Sequence, residues 1–142
     1  MQAKPSCLAI ARRRTFSFES ETTNMDKLDK IFELQSKLDE RIVREHNIDF
    51  TRDEWIQKEM LAIISELSEA LMETNFKWWK NPRETDDSKL HEELIDVLHF
   101  FISLCIRCGL SAESMFELYM AKNDENNKRQ DGTSDKSGYK AE

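Results

Sequence analysis

Two acidic pairs, Glu66-Leu67-Ser68-Glu69 and Glu93-Leu94-Ile95-Asp96, are the residues of this chain best placed to do chemistry. On a helix, an i, i+3 spacing sets two carboxylates side by side on one face, within reach of one small cation. The second pair opens an apolar run, Leu94 to Ile106, in which only Asp96, His99 and Ser103 are polar. A helix that is apolar nearly all round belongs in a core, so Glu93 and Asp96 are expected where that helix enters the protein. Buried carboxylates must be protonated, paired or metal-bound. Two such pairs on two antiparallel helices make an all-oxygen site suited to Mg²⁺, with Mn²⁺ as the alternative, and a nucleoside triphosphate is the usual partner of such a site. The competing reading is two solvated acidic helix faces.

The elements that position these acids are helices. The chain has 142 residues, enough for one domain, and 39% of them are hydrophobic, enough to fill one core. Three glycines and two prolines leave little material for a loop-rich or all-β fold. The expected fold class is all-α, a four-to-five-helix antiparallel bundle. A first helix is predicted from about Asp26 to Glu45, with Leu28, Ile31, Leu34, Leu38 and Ile42 on its apolar face and Phe32 widening it. Thr51 with Glu54 forms a capping-box pattern, and Phe50 with Trp55 a hydrophobic staple, marking the start of a second helix that runs to about Thr74. The third is predicted over Lys89 to Arg107, capped by Asp87 or Ser88 and ended by Gly109. Ser111 caps a fourth, stapled by Leu110 and Met115, whose buried portion is expected to be Met115, Phe116, Leu118, Tyr119 and Met120.

Three further groups are candidates for binding, each with a plainer alternative. Gln35 lies in the apolar stripe of the first helix, where an amide needs either a side-chain partner or a ligand edge, and Asp39 follows one turn later. Trp78 and Trp79, just before Pro82, either form a hydrophobic lid packed over the bundle or wall a base or sugar. Lys122, Asn126 and Arg129, with Asn123 beside them, make a polar stripe that either holds phosphate oxygens or is a solvated helix end.

The formal charge of -7 excludes DNA and RNA as natural partners, because no basic patch is large enough to offset it. No apolar run is long enough to span a membrane. Cys7, Cys105 and Cys108 form neither a disulfide framework nor a zinc pattern, so Cys105 and Cys108 read as buried free thiols, with redox or metal chemistry as the alternative. A reducing, cytoplasmic location follows. Residues 1–24 carry Lys4, Arg12, Arg13 and Arg14 against Glu19 and Glu21, and read as a disordered extension or, alternatively, an organelle-targeting segment. Residues 25–130 form the helical domain, and residues 131–142 a mobile tail.

With these residues in view, the chain resembles the all-α dimeric dUTPases (dUTP diphosphatases) of the MazG-like nucleotide pyrophosphatase superfamily. The resemblance is carried by Phe32-Glu33-Leu34-Gln35 with Leu38, the Glu66/Glu69 pair, Phe76-Lys77-Trp78-Trp79, the Glu93/Asp96 pair, and Lys122-Asn123 through Asn126 and Arg129-Gln130 to Gly138-Tyr139. The acidic pairs point only to the superfamily; the tryptophan segment and the C-terminal series point to dUTPase. The resemblance implies a homodimer, Mg²⁺ held by Glu66, Glu69, Glu93 and Asp96, and uracil recognised by Gln35 with a tryptophan of the Trp78-Trp79 pair. It further implies phosphate and sugar contacts from Lys122, Asn126, Arg129 and Tyr139, the last closing the tail over substrate. Asp39 departs from the pattern, standing where some relatives have asparagine, and the linker between Gln130 and Gly138 is longer than in compact relatives.

The reaction so implied is dUTP plus water giving dUMP and pyrophosphate, with Glu69, or less readily Glu66, accepting the proton of the attacking water and Lys122 and Arg129 meeting the developing charge. Two alternatives stand beside it. One is a MazG-like pyrophosphatase for another nucleoside triphosphate, such as dCTP or a damaged NTP; the other is a noncatalytic helical interaction protein.

Overall fold

A computed structural model describes residues 26–136 of the chain, and among these residues there are four helices and no strand. They are α1 (Lys27–His46), α2 (Arg52–Met72), α3 (Asp87–Arg107) and α4 (Ala112–Gln130). The expected all-α bundle is the fold observed. The N-terminal extension, Cys7 and the Gly138-Tyr139 pair lie outside the described residues.

Local chemistry sets the helix ends. The Asp26 side chain accepts a hydrogen bond from the Asp29 amide and so caps α1. At α2 the Thr51–Glu54 capping box is closed in both directions, and the Phe50 and Trp55 rings meet edge to face at 5.2 Å. Gly109, at φ +84°, lets the chain reverse after α3, and Ser111 caps α4 through Ser114. The cap of α3 is Asp86, not Asp87 or Ser88. Asp86 is still extended, and its carboxylate takes the Ser88 amide, so the helix starts earlier than the apolar pattern suggests.

The apolar core lies where α1, α3 and α4 meet. Phe32, Ile102, Cys105 and Ala112 are buried there, with Leu28, Ile106, Leu110 and Met115 packed against them. Helices α2 and α3 lie against each other along most of their length, while α4 touches α1. Helices α3 and α4 meet at 102°, so α4 leaves the bundle after its first turns.

That departure corrects two expectations. Phe116, Leu118, Tyr119 and Met120 are exposed, because no described residue of this chain covers that face of α4; of the residues expected to be buried there, Met115 alone packs on the core. The tryptophans do not form a lid: Trp78 is 85% and Trp79 61% exposed. They stack edge to face on each other at 5.7 Å in a connection pinned elsewhere, by Asn75 bonding both backbone groups of Arg83 and by Arg83 reaching the Met72 carbonyl. The expected burial of α3 is also only partial. Ile102, Ser103 and Cys105 are buried, whereas Leu94, Ile95, Leu98 and Phe101 are open. Among the described residues no single helix is long and apolar enough to cross a membrane.

Candidate functional site

The seam between α2 and α3 brings the two acidic pairs together. Ligand oxygens of Glu66, Glu69 and Glu93 all lie within 4.8 Å of one another. Asp96 is close enough that its charge is felt by both Glu66 and Glu93, but it stands outside that tight group of three. Desolvation raises the Glu66 carboxyl above its ordinary range, and the charges of Glu69 and Asp96 raise it further. Desolvation also raises Glu93, followed by the charges of Glu69, Glu66, Asp96 and Glu73. The cluster is not deeply buried, as had been expected: Glu66 and Glu93 are half-buried, and Glu69 and Asp96 are exposed. Like charges packed this closely repel, and several hard oxygen donors converging on one point fit a divalent cation of the Mg²⁺ or Mn²⁺ type.

A second polar region lies farther along the same seam. Gln35 is only 6% exposed and uses its whole amide. Its Nε2 donates to Asp39 Oδ1 and to Ser103 Oγ, both at 2.8 Å, and its Oε1 lies 2.6 Å from His99 Nδ1, which donates in the Nδ1-protonated tautomer. Ser103 Oγ in turn donates to Asp39 Oδ1 at 2.8 Å. The amide alone in an apolar stripe is thus satisfied by side chains. Its partners His99 and Ser103, and the buried Glu59 of α2 nearby, were not among the candidates drawn from sequence. A signal for two of them was present: Asp96, His99 and Ser103 follow at i, i+3 and i+7, one polar stripe down an otherwise apolar helix.

The other candidates are placed apart from these. Trp78 and Trp79 belong to the α2–α3 connection, at the Glu93 end of α3. Ser103 lies about 15 Å farther down that helix at 1.5 Å per residue. Gln35 and the tryptophans are therefore toward opposite ends of α3, and a single chain does not join them in one pocket. Lys122, Asn123, Asn126 and Arg129 lie on the part of α4 beyond the bundle, and the structure does not pack them against the acidic cluster. Arg129 bonds Glu125 Oε1 at 3.1 Å and Asn126 Oδ1 at 3.4 Å. The Ser134 hydroxyl bonds the same Glu125 oxygen at 2.8 Å and, with Arg129, holds that carboxyl below its usual range. The first residues of the expected tail are in this way folded against the end of α4, with Ser134 buried. Tyr139 lies outside the described residues.

A family model described as dUTPase matches residues 27–117. A dCTP pyrophosphatase of Enterobacteria phage LZ5 is 37% identical over 75 residues, covering 53% of this chain and 44% of that protein. A dCTP pyrophosphatase of Enterobacteria phage T4 is 31% identical over 88 residues, covering 52% of each. The chain thus spans about half the length of these relatives. No solved structure gives a significant match.

Proposed function

The chain belongs to the dUTPase family, an all-α family of the MazG-like superfamily, and from that premise we propose that it is a divalent-cation-dependent pyrophosphatase of a pyrimidine deoxynucleoside triphosphate. The reaction is hydrolysis to the monophosphate and pyrophosphate. The observation that carries this reading is the convergence of Glu66, Glu69 and Glu93 within 4.8 Å in a chain of this family. Support for the base is divided. The family description favours dUTP, whereas the two relatives are named for dCTP, and dCTP is the better supported of the two.

Glu66, Glu69 and Glu93 would hold the cation, with Asp96 as a fourth carboxylate beside them. When bound, the cation supplies charge neutralisation and Lewis acidity. Glu69, the exposed member of the cluster, is the group we assign to accept the proton of the attacking water, with Glu66 second. Lys122 and Arg129 are assigned to the phosphoryl oxygens, with Asn123, Asn126 and Tyr139 beside them. Because α4 carries these groups away from the cluster of its own chain, a second copy is the simplest way to bring cations and carboxylates together. A homodimer would also cover the open apolar faces of α1, α3 and α4.

The test is pyrophosphate release from a panel of dCTP, dUTP, dTTP and the ribonucleotides, with Mg²⁺ and with Mn²⁺. Turnover of dCTP or dUTP, lost in Glu66→Gln, is the expected result. If no nucleotide is turned over and none binds in calorimetry, the chain is a helical interaction protein and the proposal falls.

A further inference from the structure

The far end of α4 is built more tightly than a helix end outside the bundle requires. Helix ends without a packed neighbour fray, and exposed i, i+4 ion pairs contribute little. Lys37 with Glu33, Arg41 with Glu45 and Lys128 with Asp124 are pairs of that exposed kind, each cation more than half open. Arg129 with Glu125 differs, because the arginine side chain is only 16% exposed. The turn that follows α4 folds back against this pair. Gly132, at φ +69°, reverses the chain, and the Thr133 and Ser134 amides both donate to the Lys128 carbonyl. Ser134 is thereby buried, at 2% exposure. Its hydroxyl donates to Glu125 Oε1 at 2.8 Å and accepts the Lys136 amide at 3.1 Å.

The same oxygen, Glu125 Oε1, takes the Arg129 Nε hydrogen at 3.1 Å, and Asn126 Oδ1 lies 3.4 Å from a terminal nitrogen of the guanidinium. Two contacts at different nitrogens fix the plane of a rigid, flat group. We propose that Glu125 and Ser134 are positioning residues for phosphate recognition, holding the Arg129 guanidinium in the plane in which it meets the phosphoryl oxygens, an inference that rests on the hydrolase reading above. An arginine gives up rotamer freedom when it meets an anion, and ordering it beforehand lowers that cost. The Ser134 hydroxyl, ahead of Arg129 itself, holds the Glu125 carboxyl below its usual range, so the carboxylate stays charged at neutral pH. Lys136 Nζ stands 4.0 Å from that oxygen, and Arg129, Lys136 and Glu125 together keep the net positive charge that an anion requires. A clasp made only to hold the tail is already supplied by the Lys128 carbonyl; the buried hydroxyl on the arginine's own partner serves the arginine.

The experiment is a double-mutant cycle in the full chain with Mg²⁺. Glu125→Ala and Ser134→Ala are each made alone and in combination with Arg129→Ala, and kcat/KM is measured for whichever of dCTP and dUTP the wild type uses better. Circular dichroism checks that the helices survive; if one of the two variants does not fold, the other carries the cycle. Where Arg129→Ala turns over too slowly, the cycle is run on the calorimetric Kd for the nonhydrolysable α,β-imido analogue of the same nucleotide. We expect each single variant to lose at least about fivefold, and neither to lose more than about twofold further once Arg129 is gone. A residue that merely holds the helix end together would cost the same in both backgrounds. A smaller loss in both single variants overturns the inference, as does a loss that persists in Arg129→Ala or an Arg129→Ala chain that works as well as the wild type; the hydrolase reading survives each of these. A wild type that neither turns over nor binds any nucleotide overturns that reading and this inference with it.

Discussion

The seam between α2 and α3 has two polar regions of opposite character. Around Glu66, Glu69 and Glu93, carboxylates face one another, and desolvation and crowding raise both Glu66 and Glu93. Around Gln35, the hydrogen bonds close on themselves: amide, hydroxyl, carboxylate and imidazole satisfy one another within one network. The first region costs stability and has the donor set of a divalent-cation site. The second contributes stability and positions what lies next to it. A site assembled this way keeps its frame when empty and concentrates its strain where the cation would bind.

The sharpest break in that contrast comes from Glu66→Gln and Glu93→Gln. Each should lower pyrophosphate release by at least about 100-fold while leaving the metal-free melting temperature unchanged or raised, because one repelling charge is gone. A melting temperature that falls would mean that the acids hold the fold together. Added Mg²⁺ should stabilise the wild type, by about 2.7 kcal/mol at a hundredfold excess over its dissociation constant, and should do far less for Glu93→Gln; thermal melts at several concentrations measure this. In the other region, Ser103→Ala should destabilise by about 1–3 kcal/mol in urea titration, since Gln35 and Asp39 each lose a partner in a buried setting. A negligible loss would show that the network is open in solution.

The smallest effect concerns Glu59. Its carboxyl is raised in the folded state, so the folded chain keeps a proton that the unfolded chain releases above its ordinary value of 4.5. The contribution of this group is therefore fully present below pH 4.5 and is lost as pH rises toward about 7, with a slope of no more than about 1.4 kcal/mol per pH unit. Glu59→Gln should flatten that part of the stability profile in denaturant titrations run at several pH values.

What the sequence made legible were local features. The capping box at Thr51, the staple of Phe50 and Trp55, and the glycine stop at Gly109 each depend on residues within a few positions of one another, and each is present as read. The acidic pairs were legible for the same reason. Burial was not, because periodicity reports that a face is apolar without reporting whether its cover lies in the same chain. Phe116, Leu118 and Trp79 are exposed on that account. Glu59 was invisible for the opposite reason. It sits on α2 among other acids and lysines, and only the approach of α1 and α3 makes it a buried group.

The right-angled departure of α4 has a mechanical consequence. Its base is held by Ala112 at the core and, among the described residues, its far end lies clear of α2 and α3, so any bending at the Gly109 elbow would swing the helix as a lever. With about 27 Å of arm between Ser111 and Arg129, a swing of about ten degrees moves the guanidinium end through about 5 Å. A small adjustment at the elbow would therefore be amplified at the end of the helix that carries Arg129.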